Sequence, residues 1–291
     1  MFFGVTKKCY LCSRNLKKEM KKYINYAYFI MMAAVAELGS GCSASTKWND
    51  LEFYQVEKLE QLTEEAKETD EENDYAPLRG DKPRELDVKV DMQFLKSDKE
   101  TNEQVCQLIN SQLIELLLKQ SSELSIDEAI QQYMDDVKSE FRNDIAHAYY
   151  DHLTGRAEYG IENVINYRLT EDVYTGGAHP CTITTILRFN AMTGEFIALD
   201  NVFPITNQNT LKEKLLDKLM ANNGVQTMEE LHEKGYLELM DMFVSTNFAL
   251  RKDSIEFYYN EYDIAPYAYG ASIICLSYQD VQDLLSTTYE Q

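Results

Sequence analysis

The residues best suited to chemistry lie in the C-terminal half of the chain, and the first group of them surrounds a histidine. This segment reads Tyr174-Thr-Gly-Gly-Ala-His-Pro180. The imidazole of His179 can exchange a proton or hold a metal ion near neutral pH. Gly176 and Gly177 permit positive φ and close backbone approach, and Pro180 fixes the exit of the segment. A lone histidine without a second ligand at metal-binding spacing is usually structural, so the sequence leaves a structural and a functional role open for His179.

A second segment, Tyr262–Gly270, is rich in aromatic residues and stiffened by proline. Its aromatic and proline residues are Tyr262, Pro266, Tyr267 and Tyr269. Tyrosine supplies a large contact area at low entropy cost, so an exposed loop of this composition would be a binding surface. The same rings would belong to the core if they were buried. The sequence leaves both alternatives open.

Motifs of the common enzymes are missing from the sequence, which contains no GxSxG, P-loop or HExxH pattern. Cys181 lies two residues after His179, but no third group is placed to orient the pair for nucleophilic attack. Beyond residue 42 the three cysteines are Cys106, Cys181 and Cys275, an odd number that does not indicate a disulfide framework. We therefore predict a non-catalytic protein without a cofactor or metal. The alternative is a hydrolase that uses His179, with or without a metal ion.

The charge of the chain limits the classes of partner that it is expected to bind. Its 291 residues include 49 acidic and 28 basic residues, for a formal net charge of −21. Such a surface repels phosphate backbones, so nucleic acid is not an expected partner. The same field attracts cationic molecules, although solubility alone also explains a net charge of this size. The apolar share of 44% is that of a globular protein, and the length fits one large domain or two ordinary ones.

The first 42 residues are expected to direct export. Two lysines precede an apolar run from about Tyr23 to Ala36, which is too short to span a bilayer but fits the core of a signal peptide. Leu38-Gly39-Ser40-Gly41-Cys42 resembles the bacterial lipobox, with small residues directly before the cysteine. We therefore predict a signal peptide with a lipobox over residues 1–42, with Met20 as an alternative start. A plain secretory signal or an N-terminal membrane anchor is the other interpretation.

In the lipoprotein interpretation, Cys42 carries the lipid and attaches the protein to the membrane. The protein is then exported and anchored to the cell envelope, in the outer membrane if the bacterium has two membranes.

Residues 43–84 are predicted to form an acidic tether. Eight acidic residues occur between Glu57 and Glu72, and such runs repel themselves and stay solvated. A helix near residues 51–67 is an alternative for part of this stretch. The folded body is predicted to start near Glu85.

Beyond Glu85 the spacing of apolar residues alternates between that of strands and that of helices. Leu86 to Phe94 shows the two-residue period of a half-buried strand, and Ser125 opens a helix with a capping box. Further strands, two helices, more strands and a closing helix follow, which is not the βαβ order of a Rossmann sheet. We predict an α+β fold of mostly antiparallel sheets with helices packed on one face. It is divided into two consecutive subdomains, 85–165 and 166–291.

Three segments of the C-terminal half resemble the DUF3298 family. They lie at 174–180, 189–203 and 247–270 and are in register over roughly residues 165–290. Residues 85–160 resemble, more weakly, the DUF4163 domain that usually precedes it. Members of the family are typically bacterial envelope proteins. Some resemble the extracytoplasmic part of anti-sigma factors that bind lysozyme, and others precede a polysaccharide deacetylase domain.

This resemblance implies an envelope lipoprotein that acts as a ligand-binding or sensing module. The expected partner is cell-wall glycan or a cationic wall-lytic protein such as lysozyme, contacted by the Tyr174–Pro180 and Tyr262–Gly270 loops. A lipoprotein that stabilises a neighbour in an envelope complex is a third alternative.

Overall fold

The computed structural model describes residues 51–65, 83–143, 148–238 and 240–289, and within them it contains two β-sheets and six α-helices. The predicted signal peptide and Cys42 lie outside the described residues. The larger sheet has the strand order β1-β2-β3-β4-β5 and the smaller one β6-β7-β8. The strands are β1 Glu52–Glu64, β2 Arg84–Lys96, β3 Ala148–Tyr159, β4 Val164–Tyr174, β5 Cys181–Asn190, β6 Phe248–Leu250, β7 Ser254–Tyr259 and β8 Ser272–Ser277. The helices are α1 Glu100–Leu113, α2 Ile126–Asn143, α3 Leu199–Val202, α4 Gln208–Asn223, α5 Met228–Glu233 and α6 Tyr278–Val281.

Residues 52–64 form an edge strand of the larger sheet. β1 pairs with β2 in antiparallel register along its whole length, so the prediction of a tether over residues 43–84, with the folded body starting near Glu85, was wrong for this stretch. Repulsion between the acidic residues of this strand is offset, because basic residues on neighbouring elements form ion pairs with them. Glu60 lies 2.7 Å from Lys138 of α2, and Glu57 lies 3.0 Å from Lys89 of β2. Residues 43–50 and 66–82 lie outside the described residues.

The first hydrophobic core lies between the larger sheet and the helices α1 and α2. The predicted strand at Leu86–Phe94 is confirmed, and its alternate residues Leu86, Val88, Val90, Met92 and Phe94 are all at most 2% exposed. The predicted capping box is confirmed too, since Glu128 N donates to Ser125 Oγ at 3.3 Å. Each fully buried aliphatic or aromatic side chain contributes about 1.5–3 kcal/mol, so this face of β2 is a main source of stability.

The second core lies between the smaller sheet and α4, and the two cores agree with the predicted two subdomains. The predicted boundary between residues 165 and 166 was wrong, because β4 crosses it. β4 pairs with both β3 and β5, so the larger sheet continues to Asn190. Along the chain the first core ends at Ala191. The second core includes Val164 and then continues from Ile197, which places the division between Ala191 and Ile197. The prediction of an α+β fold with mostly antiparallel pairing is confirmed, with β2 and β3 as the parallel pair.

Side-chain amides join the two sheets. The Asn166 amide donates to Leu250 O at 3.0 Å and accepts from Leu250 N at 2.9 Å. On β5, the Asn247 amide accepts from Ile186 N at 2.7 Å and donates to Thr184 O at 2.8 Å. A carboxamide has the donor and acceptor of a peptide group, so these side chains take the place of backbone bonds between the sheets.

A buried arginine reinforces this junction. Arg188 of β5 is 1% exposed, and its guanidinium lies 3.7 Å from the centre of the Phe248 ring. It donates to four carbonyl oxygens at 2.9–3.2 Å, those of Ile186, Ile197, Thr246 and Phe248. Burial lowers the pKa of this arginine. Because its acceptors come from β5, β6 and the segments beside them, Arg188 ties the second unit to the larger sheet.

Candidate functional site

The two segments singled out in the sequence meet at one site. The imidazole of His179 stacks on the ring of Tyr267 with centroids 3.7 Å apart and planes inclined by 17°. Its Nε2 lies 3.3 Å from the hydroxyl of Tyr262. Tyr262 and Tyr267 also stack, with centroids 6.0 Å apart. We call His179, Tyr262, Tyr267 and Tyr269 the aromatic site.

Both ring nitrogens of His179 have partners in the protein. Nδ1 lies 2.8 Å from Pro180 O, and a carbonyl can only accept. In the neutral imidazole, Nδ1 therefore carries the hydrogen, and Nε2 accepts from the Tyr262 hydroxyl. This arrangement fixes the relative position of the two loops.

The Tyr174–Pro180 loop is shaped by its own residues. Gly176 adopts a φ of 74°, where glycine is strongly favoured. The Tyr174 hydroxyl donates to Gly177 O at 2.9 Å across the turn. His179 is half-buried as a result, whereas both glycines and Pro180 are exposed.

The Tyr262–Gly270 loop is attached to the larger sheet by Asn260, which lies two residues before it. The Asn260 amide accepts from Thr184 N at 2.7 Å and donates to Thr184 O at 3.0 Å. Asn260 N also donates to the carboxylate of Asp263 at 2.9 Å, which closes a turn. Within this turn Tyr262 has a φ of 66°, which is rare for a bulky residue. The sheet thus holds Tyr262 in a strained conformation beside His179.

The loop is neither wholly exposed nor wholly buried, the two alternatives that the sequence left open. Tyr262 and Tyr267 are half-buried, whereas Pro266 is exposed and Tyr269 is 52% exposed. The Tyr269 ring packs edge-on against Tyr236 at 5.5 Å between centroids. The rings of Tyr262 and Tyr267 therefore support the loop, and Tyr269 offers an open face to solvent.

Glu261 adds a carboxylate to the site that the sequence reasoning did not single out. Its Oε2 is buried and has no hydrogen-bond partner within the part of the chain that the structure describes. Burial raises the pKa of this carboxyl group, while a bond from the Thr182 backbone and the charge of His179 oppose the shift. Glu261 is one of 49 acidic residues, so its residue type alone does not distinguish it. The only signal for it in the sequence was its position between Asn260 and Tyr262.

A cavity of about 140 Å³ adjoins the aromatic site. Its walls are mainly apolar and come from Leu237, Met240, Tyr262, Ile264, Ala265 and Pro266. Leu237 N donates to Ile264 O at 2.8 Å, and this bond holds the 235–238 segment against the loop. No local pattern in the sequence predicted the cavity, because its walls come from segments that meet only in the fold.

Gly235 allows the exposed tyrosine to lie at this cavity. It has a φ of 80°, and a Cβ atom added to it would lie 3.4 Å from the ring and from the hydroxyl of Tyr269. Gly235 itself lines the cavity. The Tyr269 ring therefore lies beside Gly235, a residue of the cavity wall.

Among the described residues, no group of three or more His, Cys, Asp or Glu side chains is arranged to hold a metal ion. The helices found in the described ranges are all too short or too polar to cross a membrane.

A match to a known protein family lies within the second unit of this α+β fold. Residues 200–279 match the family described as "Protein of unknown function (DUF3298)". The match starts in α3 and includes the Tyr262–Gly270 loop, whereas the Tyr174–Pro180 loop lies before it. The resemblance to this family is therefore confirmed for the C-terminal part of the chain.

Two solved structures are similar over most of the chain. A DUF3298 family member from Bacteroides fragilis is 25% identical with a TM-score of 0.68, and the match covers 83% of this chain and 96% of that one. A DUF3298 family protein from Pseudomonas aeruginosa is 15% identical with a TM-score of 0.52, over 80% of this chain and 95% of that one, and shows the shared fold.

A curated relative is similar over a shorter region. This is the peptidoglycan-N-acetylmuramic acid deacetylase PdaC of Bacillus subtilis, which is 24% identical over 149 residues. The match covers 48% of this chain and spans about a third (32%) of the length of the deacetylase.

Proposed function

We propose that this protein is a non-catalytic lipoprotein of the cell envelope that binds cell-wall glycan through the aromatic site. The observation that carries the proposal is the exposed ring of Tyr269, on a loop whose Tyr267 stacks on His179 of the other predicted loop. The C–H face of a sugar ring packs on an aromatic face, and tyrosine can also donate a hydrogen bond to a sugar oxygen. The similarity to an enzyme named for its action on peptidoglycan supports this ligand class.

Attachment through Cys42 is part of this proposal and rests on the sequence alone. An intact-mass measurement of the protein extracted from bacterial membranes tests it. We expect a mature chain that begins at Cys42 and carries acyl groups, and a Cys42→Ala variant that stays unprocessed. An unmodified chain that begins upstream of Cys42 would contradict the lipoprotein assignment.

Glycan binding is tested by co-sedimentation with purified peptidoglycan. We expect the wild-type protein to pellet with the polymer and Tyr269→Ala to lose at least about tenfold in affinity. The magnitude is taken from nucleic-acid bases stacked on aromatic side chains, where loss of one contact costs about 1–3 kcal/mol. Tyr159→Ala is the matched control, because this tyrosine is 44% exposed but lies on β3 of the other unit. Equal binding by the wild type and Tyr269→Ala would exclude this site as the glycan contact.

A cationic wall-lytic protein is the second candidate ligand, and the net charge of −21 favours it. An electrostatic complex weakens steeply with salt, whereas stacking of a neutral sugar does not. Titration with hen lysozyme at low and moderate salt distinguishes the two ligands. Salt-sensitive lysozyme binding without binding to peptidoglycan would favour the second candidate.

The hydrolase alternative predicts turnover that depends on His179. The geometry favours a positioning role for this histidine, because Tyr267 covers one face of the ring and both nitrogens bond to the protein. Release of soluble sugar from peptidoglycan, lost in His179→Gln, would support the hydrolase instead.

A further inference from the structure

We propose that the cavity beside Tyr269 receives the acetamido group of an amino sugar, so that the protein selects N-acetylated glycans. This inference rests on the proposed glycan-binding function and specifies its ligand class. It is argued from the size of the cavity, its lining and its position next to the exposed tyrosine.

The size of the cavity fits a substituent and not a whole sugar. Pockets that enclose drug-sized ligands occupy roughly 300–1,000 Å³, whereas this one holds about 140 Å³. An apolar cavity of about 150 Å³ is large enough for one benzene molecule. An acetamido group has four heavy atoms and fits within such a volume.

The lining provides a partner for each end of an acetamido group. Met240, Ile264 and Pro266 offer apolar contact for the methyl group. Glu238 also lines the cavity and is exposed, and its carboxylate can accept from the amide N–H. A hydroxyl or an ammonium group in the same place would lack a methyl group and would leave the apolar wall without contacts.

The position of the cavity allows the sugar ring and its substituent to bind together. The Tyr269 ring lies beside Gly235, which lines the cavity, and Tyr262 lines the cavity while it bonds to His179. A pyranose ring lying on the exposed face of Tyr269 would direct an equatorial substituent toward the opening. The aromatic site then supplies affinity for the ring, and the cavity supplies the selection for its substituent.

Calorimetric titration with three tetrasaccharides tests the inference. The probes are tetra-N-acetylchitotetraose, its deacetylated glucosamine counterpart and cellotetraose. We expect the acetylated sugar to bind at least about tenfold more tightly than the other two, since a well-placed small apolar group changes affinity by about 10–200-fold.

Two variants separate the cavity from the aromatic site. Ala265→Leu fills the cavity, and we expect it to reduce the preference for the acetylated sugar while weak binding of cellotetraose persists. Ala265 is only 8% exposed, so circular dichroism must show that the variant folds. Met240 is 37% exposed and Met240→Ala removes part of the wall without disturbing the core, so it provides the second variant. It should reduce the same preference, and Tyr269→Ala should weaken binding of all three sugars.

The outcomes keep this inference distinct from the proposed function. Similar affinity for all three sugars, or tighter binding of the glucosamine form, would overturn the inference and leave glycan binding intact. Binding to peptidoglycan with no affinity for the acetylated sugar would also overturn it. Failure of peptidoglycan and all three sugars to bind would overturn the proposed function as well.

Discussion

The two units of this protein place their polar groups in opposite settings. In the first unit, Asp151 is 6% exposed beneath α2 and accepts a hydrogen bond of 2.8 Å from the Tyr133 hydroxyl. In the second unit, Glu261 and the three tyrosines of the aromatic site lie on a segment that reaches the surface. Polar groups enclosed under a helix act on stability, whereas groups at the surface can also meet a ligand. The first group therefore contributes to stability, and the second lies where the proposed ligand would bind.

The buried carboxyl groups of the first unit interact with each other. Burial raises the pKa of Asp151 to about 7, and the nearby Glu171 acts in the same direction. The bond from Tyr133 opposes this shift. Burial also raises the pKa of Glu171, with the charges of Lys119 and Glu140 acting in opposite directions. The two carboxylates on neighbouring strands therefore hold a proton more tightly than free carboxylates do.

The largest effect on stability is expected at Arg188, which joins the two units. Arg188→Met keeps the apolar bulk but removes the guanidinium donors to four carbonyls, three of them in buried bonds, and each buried group left unsatisfied costs about 1–3 kcal/mol. We expect a loss of at least about 3 kcal/mol in the free energy of unfolding, measured by urea titration. Arg168→Met is the control, since its nearest carboxylates lie 4.0 Å away, and should cost less than about 1 kcal/mol. Equal effects would show that the junction contributes little.

The second prediction concerns the buried carboxyl pair and pH. A carboxyl pKa raised in the folded state means that the native protein binds the proton more tightly than the unfolded chain does. The protonated Asp151 carboxyl therefore contributes its full stabilisation below about pH 4, and this stabilisation is lost as pH rises to about 7. Asp151→Asn keeps an acceptor for Tyr133 and removes the charge.

We expect Asp151→Asn to be more stable than the wild type at pH 8, by on the order of 2–4 kcal/mol. The difference should shrink as pH falls toward 4, measured by thermal and urea unfolding across this range. Asp217→Asn on the exposed side of α4 should change stability by less than about 0.5 kcal/mol at either pH. A parallel pH profile for the wild type and Asp151→Asn would contradict the buried-pair explanation.

The third prediction tests whether His179 holds the two loops together. His179→Ala removes a ring stack worth about 0.5–1.5 kcal/mol and a hydrogen bond worth about 1 kcal/mol. We expect a loss of about 1–2 kcal/mol and faster hydrogen exchange in the Tyr262–Gly270 loop. His179→Phe keeps the stack on Tyr267 and should recover about half of the loss. Unchanged stability and exchange in His179→Ala would remove the positioning role.

The smallest effect is expected from a substitution at Gly235, for which Gly224 is the matched control. Both Gly235 and Gly224 have positive φ, at 80° and 64°, so alanine should cost about 1 kcal/mol at either position. A Cβ atom at Gly235 would lie in van der Waals contact with Tyr269, at 3.4 Å, whereas one at Gly224 has no atom of the described chain within 4 Å. We expect similar thermal stability for the two variants, with glycan affinity reduced only in Gly235→Ala. Equal affinity in the two would show that the position of Tyr269 is not critical.

The sequence was sufficient to predict the elements that rest on local patterns. The alternation from Leu86 to Phe94 and the capping box at Ser125 both formed as expected. β1 was missed because its acidic residues are balanced by bases on β2 and α2, which are distant in sequence. The domain boundary was misplaced for a related reason, since nothing local shows that β4 pairs on both sides.

The candidate site was predicted in its parts but not in its assembly. The composition of the loops pointed to His179 and the tyrosines, yet their stacking depends on Asn260, which bonds to a strand 76 residues earlier. The cavity depends on the Leu237 backbone meeting Ile264, another contact between distant segments. Local chemistry can be recognised in a sequence, whereas the long-range bonds that bring it together arise only in the fold.

The amides that bind β5 also have a consequence for solubility. An exposed strand edge is a template on which strands of other molecules add and aggregate. On β5, Thr184 and Ile186 already give their backbone hydrogen bonds to Asn247 and Asn260. The same carboxamides that orient the loops therefore block intermolecular growth at this edge, and replacing both with alanine should make the protein prone to aggregate on concentration.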